Sequence, residues 1–148
     1  MQVDEYSIAM NTLARYLELI VDPTFDDFHA NRGSIRHAFL ACVAIYHAVD
    51  RVAKIERKKA AHFRQVWANE SLEFRLVDVI AHHFKHVKSD DEKAFEIISP
   101  SPPRIPIGRA VGFNEAGDEM DLRNIYYIIR DAVRFVHRKA GTTHPALP

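Results

Sequence analysis

The sequence predicts an all-α protein, an up-and-down bundle of four to five helices with one irregular insertion before the last. Apolar residues recur at three- and four-residue steps over several long stretches, which is the period of a helix with one buried face. Four of the seven prolines and three of the five glycines gather between residues 99 and 121, where no regular helix can run. The length, 148 residues, and a composition of 47% hydrophobic and 27% charged side chains suit a single globular domain with its own core.

The first amphipathic run extends from Tyr6 to Ile20, with Ile8, Leu13, Tyr16, Leu17 and Ile20 on one side. The segment "VDPTFDDFHANRGS", with Pro23 and Gly33, predicts a loop, and Ser34 is placed to cap the second helix. Ile35 to Arg57 predicts that second helix, apolar or small around most of its circumference as far as Ala53, as a helix central to a bundle must be. Its Cys42, the chain's single cysteine, reads as a buried thiol. A short helix with Phe63, Val66 and Trp67 comes next, and Arg57, Lys58, Lys59 and Arg64 beside it read as a solvated face.

Asn69 or Ser71 opens a helix whose apolar side carries Leu72, Leu76, Val79, Ile80, Phe84 and Val87. Residues 99–121 then form the irregular insertion, with a short hairpin expected around "IPIGRAV". Leu122 to Lys139 has the clearest period, through Ile125, Tyr126, Ile129, Ala132, Val133 and Val136, with Gly141 as its stop. One of Tyr126 and Tyr127 should be core and the other surface or interface. His62 and His137 are expected at the surface, and residues 141–148 as a flexible tail.

The stretch "FRLVDVIAHHFKHV" carries the chemistry-bearing residues. At about 100° per residue, Arg75, Asp78, His82 and His86 form a stripe separate from the apolar side, whereas His83 falls among the apolar residues. A solvated helix face is the plain reading. The four-residue steps of Asp78, His82 and His86 also suit convergence on a cation, with His47 or Asp50 as a further ligand, but Arg75 sets a permanent charge beside such a site and no H-E-x-x-H pattern is present. A metal-binding bundle therefore ranks third, and no metal or cofactor is expected.

Metal-independent RNA cleavage fits the stripe better. Histidine titrates near neutral pH and so can move protons at a 2′-hydroxyl or a leaving oxygen, while an arginine fork matches phosphate oxygens. Arg75 and His82 share a face but lie about 10 Å apart along one helix. Two antiparallel copies would bring Arg75 of one beside His82 of the other, which makes a homodimer a condition of the mechanism. His47 and Asp50, at i and i+3, form either a satisfied pair in the core or a support for the His82 stripe from a facing helix.

The order of elements is similar to that of a known family. "RHAFLACVAIYHAVDRV" resembles the alanine-rich second helix of HEPN domains, Arg75-x6-His82 is similar to that family's R-x4-6-H motif, and "LRNIYYIIRDAVRFVHR" resembles its closing helix. The resemblance implies a dimerising bundle with Arg75 and His82 of both subunits in a composite, metal-independent ribonuclease site, or a non-catalytic relative that binds RNA or a nucleotide, acting in stress or defence. Asp78, His86, His47 and Asp50 are the expected binding residues. The different-class alternative is a non-enzymatic dimeric bundle that regulates a protein partner.

Equal numbers of basic and acidic residues, 20 of each, argue against nucleic-acid binding by overall charge, so any RNA contact must be local. The N-terminal "MQVDEYSIAM" is acidic where a signal peptide is basic, and no stretch approaches the roughly 18 uninterrupted apolar residues of a membrane span. A cytoplasmic location without membrane contact is the expectation.

Overall fold

The computed structural model describes residues 12–86 and 122–147, which are helical apart from short connections and a terminal turn. The expected hairpin in the insertion, Ile8, Val87 and the side chains of Leu122, His83, Phe84 and His86 lie outside the described residues. The fold is an all-α bundle, and no described helix is long and apolar enough to cross a membrane.

Helix α1 is helical from residue 12, widens through a π-helical turn at Leu17–Val21 and continues as Asp22–Ala30. The expected loop after Ile20 is therefore wrong as far as Ala30. Pro23 lacks an N–H, and its ring crowds the carbonyl one turn back in a regular helix. The π turn, closed by the Asp22 N–H on the Leu17 carbonyl, stands immediately before it, and the Thr24 hydroxyl donates to the Ile20 carbonyl at 2.5 Å. The wide turn also resets the face. Leu13, Leu17, Val21 and Phe25 are all buried at four-residue steps, a spacing that would drift by about 40° per step in an α-helix. Ile20, expected in the core, is instead 46% exposed.

Helix α2 (Ile35–Tyr46) begins at Ser34, whose Oγ accepts the His37 N–H, and ends one residue before His47. Helix α3 (Ala48–Glu56) comes directly after it, so the single helix expected from Ile35 to Arg57 is interrupted. At His47 the backbone opens to φ −80°, ψ −2°, and the ring turns to Asp50. Arg57 closes α3 in the left-handed region at φ 54°. Helix α4 (Ala60–Glu70) buries Trp67, and Ser71 caps α5 (Leu72–His86) by accepting the Phe74 N–H at 3.1 Å. Leu72, expected on the buried side of α5, is exposed; Phe74 and Val77 take core positions with Leu76, Val79 and Ile80. Helix α6 (Leu122–Ala140) buries Ile125, Tyr126, Ile129, Ala132, Val133 and Val136 as the period predicts, leaves Tyr127 largely exposed and stops at Gly141, φ 69°.

Helices α1, α2, α5 and α6 pack around one core, with α2 touching the other three; α4 rests on α5 and carries α3. Trp67, Phe74 and Phe135 meet with centroids 5.4–5.9 Å apart and join α4, α5 and α6. Such aromatic pairs add about 0.5–1.5 kcal/mol each beyond the area they bury. Cys42 is fully buried, as expected, and burial pushes its thiol pKa up, so it is held as a neutral apolar filler.

Candidate functional site

The break at His47 determines the candidate site, because it places Tyr46 at the end of α2 against both α4 and α5. The buried Tyr46 ring meets the His47 and His82 rings nearly at right angles, 4.9 Å and 5.2 Å between centroids, and the Arg64 guanidinium lies 5.0 Å from its centre. Each histidine has its own aspartate. The His47 Nδ1–H donates to Asp50 Oδ2 at 2.8 Å, and Asp50 Oδ1 stands 3.8 Å from Arg64. The His82 Nδ1–H donates to the Asp78 backbone carbonyl at 3.1 Å, with the Asp78 carboxylate Oδ1 at 3.6 Å.

That carboxylate oxygen is buried and has no hydrogen-bond partner among the described residues. At 3.6 Å it acts on His82 as a neighbouring charge rather than through a well-formed hydrogen bond. The pull of this carboxylate on the ring N–H comes first, and with its charge and the Asp78 backbone carbonyl it holds the His82 pKa above the usual imidazole value, against partial burial and the Arg64 charge, which pull the other way. An orphaned acceptor of this kind costs stability, and its environment is improved when the imidazole is protonated. The Tyr46 phenol is pushed up by burial, with Asp78 and Asp50 reinforcing the shift and Arg64 opposing it, so at neutral pH it is a hydrogen-bond donor.

No protein-family model, curated protein or solved structure matches the chain. The chemistry of the site therefore rests on its own residues. Four of the six expected site residues, His47, Asp50, Asp78 and His82, surround one tyrosine. The His47–Asp50 pair is at the surface, with side chains 50% and 44% exposed, and so is not the core pair that helix periodicity suggested. Arg75 is half-buried on α5, two turns before His82, and the His86 side chain lies outside the described residues.

Tyr46 and Arg64 were not among the expected site residues. In the sequence Tyr46 reads as one more apolar residue of α2 and Arg64 as part of a solvated basic face, whereas the Arg64 side chain is only 21% exposed. The adjacency of Tyr46 to His47-x-x-Asp50 was the available signal. The described residues contain no group of three or more His, Cys, Asp or Glu side chains placed to hold a metal ion.

A second histidine–aspartate cluster lies where α1 meets the end of α6, and it overturns two expectations. His137, expected at the surface, is 5% exposed; its Nε2–H donates to Asp22 at 2.7 Å, and Nδ1 pairs with the Thr142 hydroxyl at 2.8 Å. The expected flexible tail is packed through Leu147. His144 is 2% exposed, its Nε2–H donates to Asp26 at 2.9 Å, its Nδ1 accepts the Ala146 N–H, and Leu147 enters the core. A cavity of about 350 Å³ opens beside His137, between Arg15, Glu18 and Thr142. Both nitrogens of both rings are committed here, which is the arrangement of a clamp that fastens the chain end to α1.

Proposed function

We propose that the Tyr46 junction is an acid–base centre that cleaves RNA without a metal ion, in a HEPN-like protein of the cytoplasm that acts in stress or defence. The observation that carries this is the buried Asp78 carboxylate oxygen beside His82, without a hydrogen bond among the described residues, which favours the protonated ring. A protonated imidazole can donate to the leaving 5′-oxygen. His47, with Nδ1–H given to Asp50, keeps a lone pair on Nε2 to take the 2′-hydroxyl proton. The 2′-oxygen then bonds to phosphorus, the bond to the 5′-oxygen breaks, and a 2′,3′-cyclic phosphate remains.

Charge building on the phosphate calls for a cation, and Arg64 supplies one within the same chain. On this reading the homodimer adds Arg75 from the second copy to the site and does not create it. The test is cleavage of RNA in excess chelator. Wild-type protein should cut and leave cyclic-phosphate ends, and His82→Ala and Arg64→Ala should each lose about 10²-fold or more. Cleavage undiminished in both variants, or cleavage that requires a divalent ion, overturns the proposal. RNA retained at low salt but never cut identifies a non-catalytic binding relative; neither activity leaves the dimeric interaction bundle as the better reading.

A further inference from the structure

A groove of about 290 Å³ runs between α1 and α2 and shares His47 with the Tyr46 junction. Its walls include two of the large apolar side chains that stay exposed, Ile20 and Leu40, each 46% accessible, together with Val43. Ile20 is there because the π turn rotates it out of the core, and π turns within helices are frequent at functional positions.

The polar groups of the groove divide into two kinds. Tyr16 and Thr24 are spent, since the Tyr16 hydroxyl donates to the Ala44 carbonyl at 2.6 Å and the Thr24 hydroxyl to Ile20. Asp27 has an exposed carboxylate, and His37 and His47 each engage Nδ1 within the protein, with Ser34 and Asp50, so that Nε2 is the ring atom available to a ligand. An apolar slot near the lower end of the size range for ligand sites, edged by the Asp27 carboxylate and the His37 imidazole nitrogen, with His47 at the end it shares with the junction, suits a flat nitrogen heterocycle that offers hydrogen-bond donors.

We infer that this groove is the base-recognition subsite of the junction and takes guanine. Guanine presents two adjacent N–H donors on its pairing edge, which a carboxylate can accept side by side as it accepts an arginine fork. Adenine and cytosine set a donor beside an acceptor, and uracil flanks its one donor with two acceptors, so a carboxylate meets repulsion from each. Splayed-out single-stranded bases are commonly read in this way, by stacking on one side and edge hydrogen bonds on the other. Because His47 belongs to both the groove and the junction, a base in the groove would set its 3′-phosphate toward His47. The inference rests on the RNA-cleaving reading of that centre, but it can fail separately.

Two measurements on the full chain test it. Titration calorimetry with 3′-GMP, 3′-AMP, 3′-CMP and 3′-UMP should show 3′-GMP binding about tenfold or more tightly than the others. Asp27→Asn should erase that preference and Leu40→Glu should abolish binding, both with an unchanged helical spectrum. Mapping of RNA cleavage products should place cuts after guanosine in the wild type and without base preference in Asp27→Asn. Guanine-selective, Asp27-dependent binding by a protein that never cuts RNA supports the groove and removes the nuclease reading. His82-dependent cleavage without base preference, or dissociation of a dimer by Leu40→Glu with no nucleotide bound, overturns the groove and assigns it, in the second case, to a protein contact.

Discussion

Two regions of this molecule pair histidines with aspartates, and they differ in burial and in what is left unsatisfied. At the α1–α6 corner the imidazoles are almost wholly buried and every ring nitrogen has a partner 2.7–2.9 Å away. At the Tyr46 junction the rings are partly open, His47 keeps a nitrogen for a ligand, and a buried carboxylate oxygen beside His82 lacks a hydrogen bond among the described residues. The same residue types thus serve as a fastening in one place and, in the other, stay open to solvent with hydrogen-bonding capacity left over, the feature on which the proposed proton transfer rests. Residue type alone does not separate structure from chemistry; satisfaction and access do.

The contrast is sharpest at His137. Its replacement by alanine leaves Asp22 a largely buried carboxylate without its imidazole, and a loss of about 3–5 kcal/mol in folding stability is expected. His82→Ala should cost only about 1 kcal/mol or less, because the ring is already a third exposed and its removal opens Asp78 to water. Urea unfolding of the two variants checks this directly, and equal losses would remove the distinction between the sites. Ending the chain after Gly141 is the next largest change. It takes away Leu147 and the His144 contact to Asp26, and the Leu147 burial alone is worth about 1.5–3 kcal/mol, read as a lowered unfolding midpoint. A midpoint that did not move would return the tail to the flexible state expected from its sequence.

Smaller effects separate the two histidines of the junction. The folded His82 pKa is raised, so its contribution to stability is fully present below the unfolded imidazole value of about 6.5 and is lost as pH rises through the higher folded value. The stability difference between wild type and His82→Gln should therefore shrink with rising pH across that interval. Asp78→Asn should lower the His82 titration midpoint in an imidazole NMR titration; an unmoved midpoint would mean that Asp78 does not govern the ring. His47→Ala should be the mildest change, about 0–1 kcal/mol and weaker still in high salt, because its pair with Asp50 is open to solvent. Loss of RNA cleavage in that variant, without loss of stability, would set the junction apart from the corner.

Local period was enough to reveal most helices, because a buried face imposes its spacing on the residues that form it. Ser34, Gly141 and, as one of two candidates with Asn69, Ser71 were legible for the same reason, since a cap acts on amides within one turn. Where a second local rule intervened, the period misled: Pro23 reads as a stop, yet a π turn carries the helix past it and moves Ile20 outward. The pairs His82 with Asp78 and His47 with Asp50 were equally visible, being i,i+4 and i,i+3 on their own segments.

The sequence by itself thus determined the all-α class, the apolar stripe of α6 and the two local histidine–aspartate pairs, all of them consequences of contacts within a turn or two. Only the tertiary structure decided that Tyr46 and Arg64 join those pairs, that His137 meets Asp22 across 115 positions, and that His144 meets Asp26 across 118. Such contacts depend on how helices cross, which is set by packing between distant side chains and leaves no periodic trace along the chain.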